Sequence, residues 1–429
     1  MADPLRIGIA GLGTVGVGVI RMIRRQGALI AARAGREVEI VAVSARSRGK
    51  DRGVPIGAYG WEDDPVALAK RNDVDVFVEL MGGSDGPAKA ATEAALDLGK
   101  DVVTANKAML ALHGQALASR AEAAGHVIRY EAAVAGGIPI IKSLLEGLAG
   151  NEVTRVMGVM NGTCNYILTR MESAGLPYET VFKEADDLGY LEADPTLDVG
   201  GIDAGHKLAI LASIAFGTRV AFEAMELEGI ERLSIEDIRA AADMGFRIKL
   251  LGVAQLTARG LEQRMSPCLV PAASPLGALE GGTNMVIIEG SDVGQVVLRG
   301  PGAGEGPTAS AVMGDIIDLA RGIRVPTFGQ PAQTLVAPKP AKSASSAPYY
   351  LRLGLQDKPG ALAKIAGALG EAGVSIDRMR QYGERADGTA PVLIVTHKTT
   401  RADIDVARDA FAGTGVLADE PVVLRIEEL

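Results

Sequence analysis

The chain has 429 residues, nearly half of them apolar, with a formal net charge of −9 at pH 7. That length sets a prior of about two to three domains, and the composition excludes a disordered chain. The acidic balance argues against a nucleic-acid or anionic-membrane partner, while two cysteines and four scattered histidines make neither a disulfide framework nor a readable zinc site.

In chain order, Leu5–Ala10 reads as an apolar strand entering Gly11-Leu-Gly13-Thr-Val-Gly16, and Val17–Arg25 reads as a helix. A G-x-G-x-x-G turn between strand and helix is the dinucleotide fingerprint in its required setting. Gly11 permits the tight turn, Gly13 admits a pyrophosphate to the backbone, and Gly16 lets the helix pack on the strand. Thr14 and Val15 lie inside the same turn and join them as cofactor-binding candidates. Met1 runs almost directly into the strand, leaving no room for a signal peptide, so a cytoplasmic location is expected. Val38–Val43 reads as the second strand and runs into Ser44-Ala-Arg46-Ser-Arg48. NAD-selective sites carry an acid here for the ribose 2′-OH; Arg46 suits a 2′-phosphate, which favours NADPH over NADH. The alternative is that Arg46 and Arg48 only solvate a loop.

Val74–Leu80 is an almost continuous apolar run, as a buried parallel strand should be. Asp101–Thr104 and His126–Tyr130 read as shorter strands, with helices over Ala88–Leu98 and Met109–Ala124. The alternation predicts a doubly wound parallel sheet over 1–138. Ligands sit beyond the carboxyl ends of such strands, so Thr104 and Lys107 in Thr104-Ala-Asn106-Lys107 become site candidates. A surface lysine starting a helix is the alternative for Lys107.

After Ile138-Pro139 a mixed α/β domain with an open sheet is expected over 139–302. Glu152–Met160 is β-like and ends in Asn161-Gly162-Thr163-Cys-Asn165; further β runs are Leu269–Pro271, Met285–Gly290 and Gln295–Gly300. Between helical segments lies the acidic, glycine-rich stretch Ala185–Lys207. It closes on Asp203 and Lys207, an i,i+4 pair on one helix face, from which a lysine could hand a proton to a carbonyl oxygen. On a solvated face the same pair would contribute only about 0.3–0.5 kcal/mol. The longest apolar helix, Leu208–Gly217, is too short to span a membrane. Gly300-Pro-Gly302-Ala-Gly304 leads into a helix at Pro307–Arg321, and 303–333 should return to the first domain. A Pro-, Ala- and Ser-rich linker follows at 334–348. The final unit, 349–429, reads βαββαβ, a ferredoxin-like pattern.

G-L-G-T-V-G (Gly11–Gly16), T-A-N-K (Thr104–Lys107), E-A-A-V-A-G-G-I-P (Glu131–Pro139), N-G-T-C-N-Y (Asn161–Tyr166), the stretch Ala185–Lys207 and G-P-G-A-G (Gly300–Gly304) together resemble homoserine dehydrogenases of the long bacterial form, which carry a C-terminal ACT domain. Leu191 departs from the family's small residue and would sit beside Glu192 at the pocket wall. The resemblance implies reversible reduction of L-aspartate 4-semialdehyde to L-homoserine with NADPH or NADH, in threonine, methionine and isoleucine biosynthesis. It implies Lys207 as proton donor, Asp203 holding it and the substrate hydroxyl, and Lys107 assisting near the carbonyl or nicotinamide. Glu192, with Asp198, would bind the substrate ammonium; Gly162 and Thr163 would approach the substrate; Gly302 and Gly304 would border the cofactor. It further implies a monovalent cation, Na+ or K+, at Glu131 and the carbonyls of Val134, Gly136 and Ile138, and a homodimer or homotetramer. The ACT unit would bind L-threonine as feedback effector, or serve only for dimerisation. Two rival readings stay open. An aldehyde dehydrogenase using a cysteine thioester lacks an activated thiol at Cys164 or Cys268; a nicotinamide-sensing regulator would bind cofactor without turnover.

Overall fold

A computed structural model describes residues 3–191, 194–342, 345–383, 385 and 388–428. In chain order it contains β1 (Leu5–Ala10), α1 (Thr14–Ala34), β2 (Val38–Ser44), β3 (Gly60–Glu62), α2 (Pro65–Lys70), β4 (Val76–Glu79), α3 (Pro87–Asp97), β5 (Asp101–Thr104), α4 (Lys107–Ala123) and β6 (Ile128–Arg129). Next come α5 (Ile140–Lys142), β7 (Val153–Val159), α6 (Gly162–Ala174), α7 (Tyr178–Asp187), α8 (Pro195–Val199), α9 (Ile202–Phe216), β8 (Glu226–Leu227), α10 (Ile235–Asp243), β9 (Phe246–Thr257) and β10 (Gly260–Pro271). The chain ends with β11 (Thr283–Gly290), β12 (Gly294–Pro301), α11 (Glu305–Ala320), β13 (Tyr349–Gln356), α12 (Ala361–Glu371), β14 (Ile376–Gln381), β15 (Thr389–Thr396), α13 (Arg401–Gly413) and β16 (Val422–Ile426). Two compact units result: 1–162, 203–225 and 283–338 form one; 163–202, 226–282 and 339–429 form the other.

The first unit holds a six-stranded sheet, β3-β2-β1-β4-β5-β6, parallel throughout. Its strands are mostly apolar and largely buried because helices cover both faces. Ile7, Ile9, Val76, Val78 and Val103 pack with Val19 and Ile20 of α1 and with Val312, Met313 and Ile316 of α11. The returning segment thus helps seal the sheet. Helix α1 is longer than 17–25: Ile30 and Ala34 keep the buried stripe going past a non-helical Gln26, and Gly35, at φ +77°, closes the helix in the left-handed region. The short β3 and α2 carry too little periodicity to be legible in sequence. In the same unit β11 pairs antiparallel with both β7 and β12.

In the second unit β9 and β10 form a long antiparallel hairpin, of which sequence reading found only Leu269–Pro271. The reason is chemical. Lys249, Glu262, Gln263 and Arg264 interrupt its apolar pattern, yet all are buried. Helix α10 was also unforeseen, although Ser234 and Asp237 form a reciprocal capping box at its start. The expected βαββαβ order appears as β13-α12-β14-β15-α13-β16, with strand order β16-β13-β15-β14. Tyr349, Leu351, Leu353 and Leu355 pack there against Ile365, Leu369, Ile404 and Phe411. Strand β16 pairs in parallel with β10 at Cys268 and Leu269. Residues 339–341 are not a loose tether: the Leu261 N–H donates to the Lys339 carbonyl and the Ala341 N–H to the Leu261 carbonyl.

Candidate active site

At the fingerprint, each glycine has its own constraint. Gly11 has φ +101°, and a Cβ there would lie 2.4 Å from the Leu80 carbonyl oxygen; one at Gly16 would lie 2.0 Å from the Gly11 oxygen. Gly13 faces open space, with nothing within 4 Å of such a Cβ. It precedes Thr14 and Val15 at the start of α1, where no side chain caps the helix. Unpaired N–H groups there suit a pyrophosphate. Arg46 and Arg48 are exposed, and Arg48 reaches over the Trp61 ring at 5.8 Å. Sequence reading missed Arg52: its Nε donates to the Leu12 carbonyl at 3.3 Å and a terminal nitrogen to Ser47, so it ties the post-β2 loop to the fingerprint. No motif marks it.

The ends of β4 and β5 are joined by another unforeseen residue, Glu79, which is fully buried. It accepts from Thr104 Oγ1 at 2.6 Å and from the Met81 and Gly82 N–H groups at 2.7 and 3.1 Å. Thr104 Oγ1 accepts from the Asn106 N–H, and the Asn106 side chain donates to the Gly83 carbonyl while capping α4 at Met109. An acid inside an apolar strand was the available signal. This network fixes Lys107 as the first residue of α4.

Lys107 meets Asp203. Its Nζ lies 2.8 Å from Asp203 Oδ1, while Lys207 Nζ lies 2.7 Å from Oδ2. Lys207 also donates to the Met160 carbonyl at 2.9 Å, just before Gly162. Burial pushes the Asp203 carboxyl upward, but the charges of Lys207 and Lys107 and the hydrogen bonds they donate outweigh it and hold it well below the usual carboxylate range. One buried carboxylate therefore keeps two ammonium groups side by side. His206, on the next turn, packs its ring 4.2 Å from that of Phe222, and burial lowers its pKa.

In the second unit Thr163 Oγ1 donates to the Tyr190 carbonyl at 2.9 Å, and the Tyr190 ring stacks on Tyr166 at 4.5 Å. Asp198 is buried on α8, and its carbonyl accepts from Cys164 Sγ. Glu192 lies outside the described residues; Leu191 is partly buried. Both cysteines are free and buried, and burial pushes the Cys268 thiol up, the opposite of activation.

Back in the first unit, Glu131 is buried and accepts from the Ile141 and Lys142 N–H groups at 2.9 and 2.8 Å. Its pKa is pushed up to about 7, by burial first and then by Asp315. Glu131 and Gly136 share the wall of a cavity of about 270 Å³; Val134 and Ile138 are not on it. Ala135 and Gly136 have φ of +53° and +28°, and the Ile138 carbonyl already accepts from the Ile140 N–H. Gly302 approaches this turn closely: a Cβ on Gly136 would lie 2.8 Å from the Gly302 oxygen. Gly304, at φ +112°, starts α11. No group of three or more His, Cys, Asp or Glu able to hold a metal occurs among the described residues. Nor is any helix among them long and apolar enough to cross a membrane.

Three family profiles match the chain: "Homoserine dehydrogenase, NAD binding domain" over 11–131, "Homoserine dehydrogenase" over 139–317 and "ACT domain" over 349–413. The homoserine dehydrogenase of Neisseria gonorrhoeae is 43% identical over 99% of both chains, and that of Pseudomonas aeruginosa 41% over the same share. Among solved structures, a homoserine dehydrogenase from Thiobacillus denitrificans aligns with a TM-score of 0.93 at 38% identity, covering 99% of this chain and 98% of its own. A hyperthermophilic archaeal homoserine dehydrogenase in complex with NADPH aligns at 0.63 with 27% identity, over 73% of this chain and 97% of its own. The two homoserine dehydrogenase profiles and the likenesses that span 98–99% of both chains agree: the chain belongs to the homoserine dehydrogenase family, NAD(P)-dependent oxidoreductases that act on a CH–OH group.

Proposed function

We propose that the protein interconverts L-homoserine and L-aspartate 4-semialdehyde, with Lys207 moving the proton at the reacting oxygen. The observation that carries this reading is the Asp203 carboxylate gripping Lys107 and Lys207 at 2.8 and 2.7 Å. A bound nicotinamide would take up or supply the hydride. In the reducing direction, the Lys207 ammonium donates a proton to the aldehyde oxygen as negative charge develops on it; in the oxidising direction the amine takes that proton back. Lys107 adds a second positive charge to the same locus, and Asp203 orients both groups. Asp198 and Glu192 bind the substrate ammonium, and Gly162 and Thr163 line its path. Gly11, Gly13, Thr14, Val15 and Gly16 hold the pyrophosphate, Thr104, Gly302 and Gly304 border the cofactor, and Arg46 meets a 2′-phosphate, which favours NADPH. The complex of the archaeal relative with NADPH supports that preference.

The domain division proposed with it is 1–138 with the returning segment 303–333 for the cofactor, 139–302 for substrate and dimerisation, a linker at 334–348, and a regulatory ACT unit at 349–429 that binds L-threonine as end product. A dimer or tetramer working in the cytoplasm fits this reading. Glu131 and the Gly136 turn suit Na+ or K+, because a buried carboxylate on the wall of a small cavity supplies a hard oxygen ligand. The test is direct: homoserine-dependent reduction of NADP+ and of NAD+ by purified full-length protein, with and without threonine. Turnover with NADP+, inhibited by threonine, is expected. Tight cofactor binding without turnover would replace this reading with the regulator.

A further inference from the structure

Lys249 stands on β9 in the second unit and is 2% exposed. A buried lysine is costly unless its protons are bonded. Its ammonium donates to Asn165 Oδ1 at 3.0 Å and to the Leu279 carbonyl. Asn165 is 1% exposed, and its Nδ2 donates to the Gly281 carbonyl at 2.7 Å and, more weakly, to Leu279. Lysine and asparagine thus weld the first turn of α6 to the segment 279–281. Around that same turn, Thr163 holds the Tyr190 carbonyl, Tyr166 stacks on Tyr190, and Cys164 holds the Asp198 carbonyl. The turn is gripped on one side by Lys249 and on the other by the segment that carries Asp198.

We propose that Lys249, through Asn165, is a positioning residue for the substrate-binding turn Gly162–Tyr166. This rests on the reading above, that Thr163 and Asp198 touch the amino-acid substrate. A hydrophobic residue would fill the same space; what it would lack is the donor for Asn165 Oδ1. That oxygen would then be buried and unpaired, and the turn would shift to rehydrate it. The bonds of Lys249 run to Asn165 and Leu279, beside the residues proposed to touch the substrate, so its loss should register in the substrate and not in the cofactor.

The experiment uses full-length Lys249→Met, Lys249→Gln and Asn165→Ala, with homoserine kinetics, direct NADPH titration and thermal unfolding. A small misplacement of a binding group is amplified in rate, so kcat/KM for homoserine should fall about tenfold to a hundredfold, led by KM, in Lys249→Met. NADPH affinity should stay within about twofold, well under the factor of ten that 1.4 kcal/mol represents. Lys249→Gln, whose amide nitrogen keeps two N–H donors on a shorter side chain, should recover part of the loss. A folded Lys249→Met with unchanged homoserine kinetics overturns the inference, as does a parallel loss of NADPH affinity. Should Lys249→Met fail to fold, Asn165→Ala decides, and unaltered homoserine kinetics in it overturns the inference equally. Wild-type protein without homoserine turnover overturns the underlying reading instead, before any variant is compared.

Discussion

Replacing Lys207 by Met separates the proposed chemistry from stability, because the ion-pair geometry and general acid catalysis set effects of different sizes. Lys207 is 12% exposed and its partner Asp203 10%. At 2.7 Å and an effective dielectric of about 20, their gross attraction is about 6 kcal/mol. Removing the lysine does not orphan Asp203, since Lys107 stays at 2.8 Å. The cost should therefore fall below the ~3–5 kcal/mol typical of a buried charge left alone, at about 1–2 kcal/mol, or a few degrees in Tm. The proposed proton-transfer role would be worth about 10²–10⁴ in rate, equivalent to ~3–5 kcal/mol of barrier. Steady-state homoserine oxidation, read beside thermal unfolding and NADPH titration, should show a large kcat loss in a folded, cofactor-binding protein. Small primary amines should restore part of the activity to Lys207→Ala. A folded Lys207→Met with near wild-type kcat would refute the proton-transfer role, and Lys107 would become the group to examine. The ion cluster should resist acid. Asp203 has a depressed pKa, so its stabilising contribution is complete above the ordinary carboxylate pKa and is lost only as pH falls well below it.

Gly13→Ala should fold as the wild type does, since φ is −81° and nothing lies within 4 Å of the added Cβ, yet should weaken NADPH binding about tenfold or more by obstructing the phosphate approach. Gly16→Ala, whose Cβ would meet the Gly11 oxygen at 2.0 Å, should instead lose the turn itself; equal behaviour of the two variants in unfolding scans would contradict the assignment. Glu131 has a raised pKa, so its burial should erode stability as pH rises from about 4.5 toward about 7, and Glu131→Gln should flatten that limb of the Tm profile. If a monovalent cation binds there, Na+ or K+ at pH 8 should raise the wild-type Tm above a choline control of equal ionic strength, and should not do so in Glu131→Gln. Arg46→Ser should raise the NADPH KM about tenfold while leaving that for NADH unchanged, as expected for a charged hydrogen bond of ~1.5–3 kcal/mol; equal effects on both cofactors would deny it a 2′-phosphate.

Local order was legible wherever a motif and its periodicity lie close together in the chain. The strand–turn–helix at Leu5–Ala34, the i,i+4 spacing of Asp203 and Lys207, and the βαββαβ order of 349–429 all depend on short-range sterics and hydrogen bonding. Sequence alone therefore determined the fold class, the cofactor turn and one half of the ion cluster. It also named Lys107 without a partner. The β9–β10 hairpin was hidden because its buried Lys249, Glu262 and Arg264 look like surface residues until their partners are known. Glu79 and Arg52 were missed for the same reason: each acts through atoms brought close only by the folded chain. The tertiary structure decided that Lys107 and Lys207 share one carboxylate, that Glu79 braces the two strand ends, and that Lys249 holds Asn165. These are long-range juxtapositions. A charged or polar side chain becomes informative only when burial removes water and leaves it the few partners the fold supplies, and burial is a property of the packed chain.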